Sequence, residues 1–168
     1  MRALAAAFVV SSFALLASGC GGSTDCNGSC PSIAADYAVQ TSTLDRSCDF
    51  QPWLLPPTVT ISQAGASSHV TLSVIDPANQ VEVPLTAEMR VPNNGKAVAE
   101  LEGSQWAQRQ SGLASTDLPT VRITVSGSVT ESNGRRWLEL SLVTTELGSA
   151  CMITQVLTAK GPPVSSAR

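Results

Sequence analysis

Chemistry in this chain has few carriers. His69 is its single histidine and so its one imidazole for acid–base work. The nearest downstream acid, Asp76, stands seven residues on, an odd spacing that sets the two on opposite faces of a regular strand. Asp76 also precedes Pro77, where an aspartate ordinarily starts a turn. No serine elbow, paired-histidine metal helix or glycine-rich phosphate loop occurs. A carboxylate group, Glu88, Glu100 and Glu102 with Arg90 among them, offers two readings. One is a weak cation site, but calcium asks for six or more oxygens. The other, preferred here, is a solvated face on which Arg90 offsets the repulsion of Glu88 and Glu100. Neither a catalytic set nor a metal or cofactor site is expected.

The five cysteines carry more information. Cys20 ends a short apolar run, which leaves Cys26, Cys30, Cys48 and Cys151, an even number. The chain has no second close cysteine pair and no histidine cluster to complete a zinc site, so two disulfides are expected. The expected pairs are Cys26 with Cys30, and Cys48 with Cys151, on the geometry of the expected fold.

Residues 1–19 have one positive charge, Arg2, then an apolar stretch over residues 3–16, then Ala17, Ser18 and Gly19. This is signal-peptide anatomy, and the stretch is shorter than the roughly 20 residues of a membrane span. The motif "L-A-S-G-C" resembles the lipobox of bacterial lipoproteins, with Ala17 where that family usually has leucine. The resemblance implies cleavage before Cys20, lipidation of its sulfur and a permanent anchor. Gly21 is not the aspartate that retains such proteins at an inner membrane, which implies the outer membrane. The chain is thus similar to the small β-rich lipoproteins of bacteria with complex envelopes. Cleavage removes Arg2 and takes the formal charge from −3 to −4. That mildly acidic body excludes nucleic acid as a partner, which would need clustered Lys and Arg.

The elements that must position these residues follow a period of two. Val70, Leu72 and Val74 alternate with Thr71 and Ser73. The same pattern runs from Val81 to Val91 and from Val121 to Thr130, as in half-buried antiparallel strands. Residues 21–25 read as a flexible tether, residues 26–160 as one β domain, and residues 161–168 as a disordered tail. A two-residue Asn133-Gly134 turn pairs Ser132 with Arg135 and sets Val129 opposite Leu138, Gly127 opposite Leu140 and Val125 opposite Leu142. A three-residue loop, Asn93 to Gly95, pairs Val91 with Ala97, Met89 with Ala99 and Ala87 with Leu101. With segments near 37–42, 58–63 and 151–160 the count reaches about eight strands. The expected fold is all-β, an antiparallel meander closed into an up-and-down barrel. A two-sheet sandwich is the alternative, since a period of two does not separate them. The barrel explains the long bridge, because Cys48 and Cys151 then lie side by side at one end.

One hairpin is expected to bear small inner residues. Ala87, Ala97 and Ala99 stand beside Met89 and Leu101, a lining that leaves room for a small apolar ligand, as in the lipocalins that such a barrel resembles. Residues 103–119 are long for a turn. Ser104 is read as the cap of a short helix that carries Trp106 and ends at Gly112, a lid over that room or a plug within it. The expected function is a non-catalytic, lipid-anchored envelope protein that binds a small apolar ligand. The alternative is a structural or interaction lipoprotein with envelope partners, and an enzyme of unidentified class comes third.

Overall fold

The computed structural model describes residues 23–26, 28–93, 95, 97–108 and 120–164. The signal segment, Cys20 and residues 109–119 lie outside them. Nine strands follow one another: β1 (Ser23–Asp25), β2 (Ala35–Arg46), β3 (Thr58–Gln63), β4 (His69–Ile75), β5 (Glu82–Pro92), β6 (Ala99–Gln108), β7 (Thr120–Ser132), β8 (Arg135–Glu146) and β9 (Met152–Pro163). All of their pairings are antiparallel. β2 to β9 form a meander that β2–β9 and β5–β6 contacts close into an eight-stranded barrel, and β1 is added along β5. A single closed sheet settles the choice between barrel and sandwich.

Alternation on each strand builds the core. On β4, Val70, Leu72 and Val74 point inward at 0–1% exposure. On β7 and β8 the inward rows are Val121, Ile123, Val125 and Val129, and Leu138, Leu140 and Leu142. The β7–β8 turn has the expected register, with Ser132 opposite Arg135 and Gly127 opposite Leu140. Both turn residues take positive φ, Asn133 at 53° and Gly134 at 66°, as a hairpin of matching twist requires. Gly127 marks a close approach of β7 to β8. A Cβ there would strike the Glu139 carbonyl and stand 2.6 Å from Leu140 Cδ2, so the bare backbone lets Leu140 fill the interior.

Both expected disulfides are present, Cys26–Cys30 and Cys48–Cys151. Each serves one end of the barrel. The first knots the approach to β2, where Ile33 and the buried Tyr37 close the opening, and the Tyr37 hydroxyl donates to the Ile33 carbonyl at 2.9 Å. The second holds the β2–β3 connection to the start of β9. That connection carries Phe50, Trp53 and Leu55, all buried, across the other opening. It is tied down by paired Leu54–Ile75 backbone bonds of 3.3 and 2.7 Å. The Leu55 amide also donates to Gln155 Oε1 at 2.7 Å, and Gln155 Nε2 donates to Ser42 at 3.0 Å. This buried glutamine is therefore fully engaged.

Four expectations change. Ser23–Asp25 is not loose tether but a strand paired with Arg90–Pro92. Gly161–Pro163 belongs to β9 and not to a disordered tail. The β5–β6 hairpin is slipped by two residues, so Met89 faces Leu101, Arg90 faces Glu100 and Glu88 faces Glu102. The cause is β7: β6 runs against it without interruption from Ala99↔Val129 to Gln108↔Thr120, and this long ladder outweighs the three β5 pairs. The slip is even, so the inner face is unchanged. Finally, the segment from Ser104 to Gln108 is strand and not helix, while the rest of the expected helix, to Gly112, lies outside the described residues.

Candidate functional site

The inner residues expected to line a pocket do come together. Ala87, Met89, Ala99 and Leu101 are 0–2% exposed and belong to the same packed cluster as Tyr37, Trp53 and the β7–β8 leucines. Ala97 is half-buried beside the loop. The room that the alanines leave is taken up by close backbone approach. A Cβ on Gly103 would stand 2.8 Å from Ala87 Cα and strike the Thr86 carbonyl. Trp106 does not join them. It lies on the outer face of β6, 59% exposed, opposite Arg122 on β7, whose guanidinium carbon is 5.8 Å from the ring centroid. That distance is within cation–π range.

The residues that carry chemistry gather on this outer face instead. β5 and β6 share only the pairs from Glu88↔Glu102 to Arg90↔Glu100, and beyond Glu102 their ladder stops. A groove of about 460 Å³ lies there, lined by His69, Thr86, Glu88, Arg90, Glu102, Ser104, Arg122 and Thr124 among others. Four strands supply it. β4 brings His69 directly opposite Glu88, with Nε2 4.0 Å from Oε1. Arg90 is shared between Asp25 of β1 at 3.4 Å and Glu102 of β6 at 3.8 Å. Arg122 donates to the Ser104 hydroxyl at 3.3 Å. The carboxylate face expected from the sequence is thus real, but Arg90 pairs with Glu102 and Asp25 across strands. Among the described residues, no three His, Cys, Asp or Glu side chains gather to hold a metal ion.

Ser68, His69 and Glu88 also fall in a row, with Ser68 Oγ 3.4 Å from His69 Nδ1. The imidazole and carboxylate side chains are 65% and 61% exposed, and their separation exceeds hydrogen-bond reach. Asp76 plays no part here. It lies at the other end of β4, buried, where its carboxylate accepts from the Ala78 amide at 2.9 Å as a turn-starting aspartate does.

A second recess, of about 410 Å³, opens at the far end under the β2–β3 connection, lined by Val39, Leu54, Leu55, Pro56, Pro57 and Ile75 with Ser42 and Gln155. It forms because β2 pairs with β3 only over Ala35–Ala38 before turning wholly to β9. Its walls are mostly apolar. Compared with protein-family models, curated proteins and solved structures, the chain matches none.

Proposed function

We propose that the chain is a lipid-anchored envelope protein, exported to the outer membrane, that acts as a non-catalytic interaction module through the outer groove at the β5–β6 seam. One observation carries the reading. The inner positions that would line a lumen are packed at 0–2% exposure, while imidazole, guanidinium, carboxylate and hydroxyl groups converge outside. Partly solvated groups of both signs, beside an exposed indole, suit a partner rich in hydrogen-bonding groups. The lipid anchor rests on the lipobox resemblance of residues 15–20, and two disulfides accord with export. The exposed, loosely spaced Ser68–His69–Glu88 row supports binding over catalysis.

A photocrosslinking side chain at Ser104 in the living cell tests this. It is expected to trap an envelope partner, and the same probe at Ser141, on the β8 face away from the groove, is expected to trap none. Equal adducts at both positions would refute the groove.

The apolar recess under the β2–β3 connection favours a second reading, a small apolar ligand held there and not in a lumen. Native mass spectrometry of the gently extracted protein separates the two. The interaction reading expects the protein and its anchor alone, whereas an added small molecule displaced by Leu55→Trp would establish the recess.

A further inference from the structure

The barrel has two unlike ends. One carries the β3–β4, β5–β6 and β7–β8 turns and the last residues of β9, with charges of both signs, among them Arg136 paired with Glu131 at 3.3 Å and Arg90 with Asp25 at 3.4 Å. The other carries the β2–β3, β4–β5 and β8–β9 connections. There Asp45, Asp49, Asp76, Glu82 and Glu146 stand against Arg46 and Arg122 among the described residues, and Leu44, Val81, Leu147 and Met152 are exposed at 40–65%.

β1 ties the chain to the first end. Ser23 pairs with Pro92, Thr24 with Val91 and Asp25 with Arg90, with the Asp25–Arg90 ion pair at 3.4 Å. The Thr24 hydroxyl lies 3.4 Å from the Val91 carbonyl, which accepts from it. Directly behind β1, buried Cys26 is bridged to Cys30. The backbone is therefore fixed to the barrel from Ser23 onward, and β1 enters from the turn end. Two residues, Gly21 and Gly22, separate Cys20 from Ser23, and even fully extended the three steps span no more than about 11 Å.

From this we infer that β1 is an orienting clamp, which seats the turn end of the barrel on a bilayer surface and presents the acidic, apolar-studded end away from it. The inference rests on the lipid-anchored reading. A lipid on Cys20 cannot reach the bilayer from the far end, because strands of about 12 residues tilted in a barrel stand about 30 Å tall. The far end is the more acidic of the two, with Asp45, Asp49, Asp76, Glu82 and Glu146 against Arg46 and Arg122, so its carboxylates are also held off a surface with anionic headgroups. The groove at the β5–β6 seam then lies on the barrel wall, open sideways along the membrane.

The test uses the full lipidated chain in vesicles of phosphatidylethanolamine with a minority of phosphatidylglycerol. Flotation with the vesicles, lost in Cys20→Ser, comes first. A chain that does not float overturns the anchor and the orientation with it. In floated protein, a fluorophore on Ser132→Cys is expected to be quenched several-fold more strongly by a headgroup-borne quencher than one on Ala78→Cys. Equal quenching in protein that floats overturns the orientation and leaves the anchor standing. Replacing Thr24 and Asp25 by proline removes the β1 ladder and its ion pair without touching the eight closing strands. This variant is expected to float and to lose the difference between the labels, and a difference that survives overturns β1 as the clamp.

Discussion

Replacing Cys48 and Cys151 together by alanine is expected to lower stability by several kcal/mol while leaving the barrel folded. The bridge spans 103 residues of sequence, nearly the whole domain. In the chain-entropy relation a loop of that length constrains the unfolded state by about 4.7 kcal/mol, against about 1.9 kcal/mol for a loop of four residues such as the Cys26–Cys30 knot closes. Little else is lost with it. Both cysteines are half-buried, so alanine gives up little apolar burial. The β2–β9 ladder they stand beside keeps its pairs from Thr41↔Thr158 to Arg46↔Ile153, with the Thr41–Thr158 hydroxyl contact at 2.6 Å. Ser47, next to Cys48, still accepts the Met152 amide at 2.8 Å. Measured losses for bridges in small exported domains run at about 2–5 kcal/mol, within the stability such domains hold. Urea unfolding of the unlipidated Cys20→Ser chain, with and without the bridge, is the assay. Besides the loss, the m-value is expected to rise, because the unfolded chain without the bridge exposes more surface. A loss below about 1 kcal/mol with an unchanged m-value would refute the reasoning, since a long bridge acts chiefly on the unfolded ensemble.

Gly127→Ala is expected to cost about 3 kcal/mol, at the upper end for overpacking, because its Cβ would meet the Glu139 carbonyl as well as Leu140. Adding Leu140→Ala is expected not to restore the loss, since the carbonyl stays in place; a cost within about 0.5 kcal/mol in urea unfolding would sink the argument. Tyr37, the sole tyrosine, has its pKa raised from 10.0 by burial, an effect that the nearby Arg136 opposes. Below pH 10 the phenol is protonated in both states, but above it the unfolded chain releases the proton while the folded one retains it, so stability falls as pH rises. Tyr37→Phe should flatten that part of the fall in urea midpoints between about pH 9 and about pH 11, and an unchanged slope would count against it.

Local rules reached some parts of this fold and not others. The β7–β8 hairpin was legible because a two-residue Asn-Gly turn and a long alternation both specify one register. The β5–β6 hairpin was not, because its register is imposed by β7, which lies beyond the next connection in sequence. Trp106 was misread for a related reason. The inward positions of that part of β6 are Gly103, Gln105 and Ala107, which show no apolar alternation, so a strand with an outward tryptophan looked like a helix. The carboxylates of the groove were legible, but their meeting with His69, Ser104 and Arg122 was not. His69 meets Glu88 across one strand pair and Arg122 reaches Ser104 across another, and only the parting of β5 and β6 brings them to one surface. β1 left no trace either, since three polar residues paired through their backbones have no periodicity to show.

The stopper at the far opening, by contrast, was written in the sequence and went unread. A loop meant for solvent does not read Phe50, Trp53, Leu54, Leu55 in close succession with prolines between. Such a run, with no alternation to make it a strand, must bury its side chains against something, and the cysteine just before it fixes where. Cys48 bonded to Cys151 places the run over the end where β9 begins, and there Trp53 and Leu55 close the core. With one opening closed by this loop and the other by Ile33 and Tyr37, the barrel interior is committed to stability. On the function proposed above, recognition then falls to the outer surfaces, the wall at the β5–β6 seam and the recess beneath the stopper.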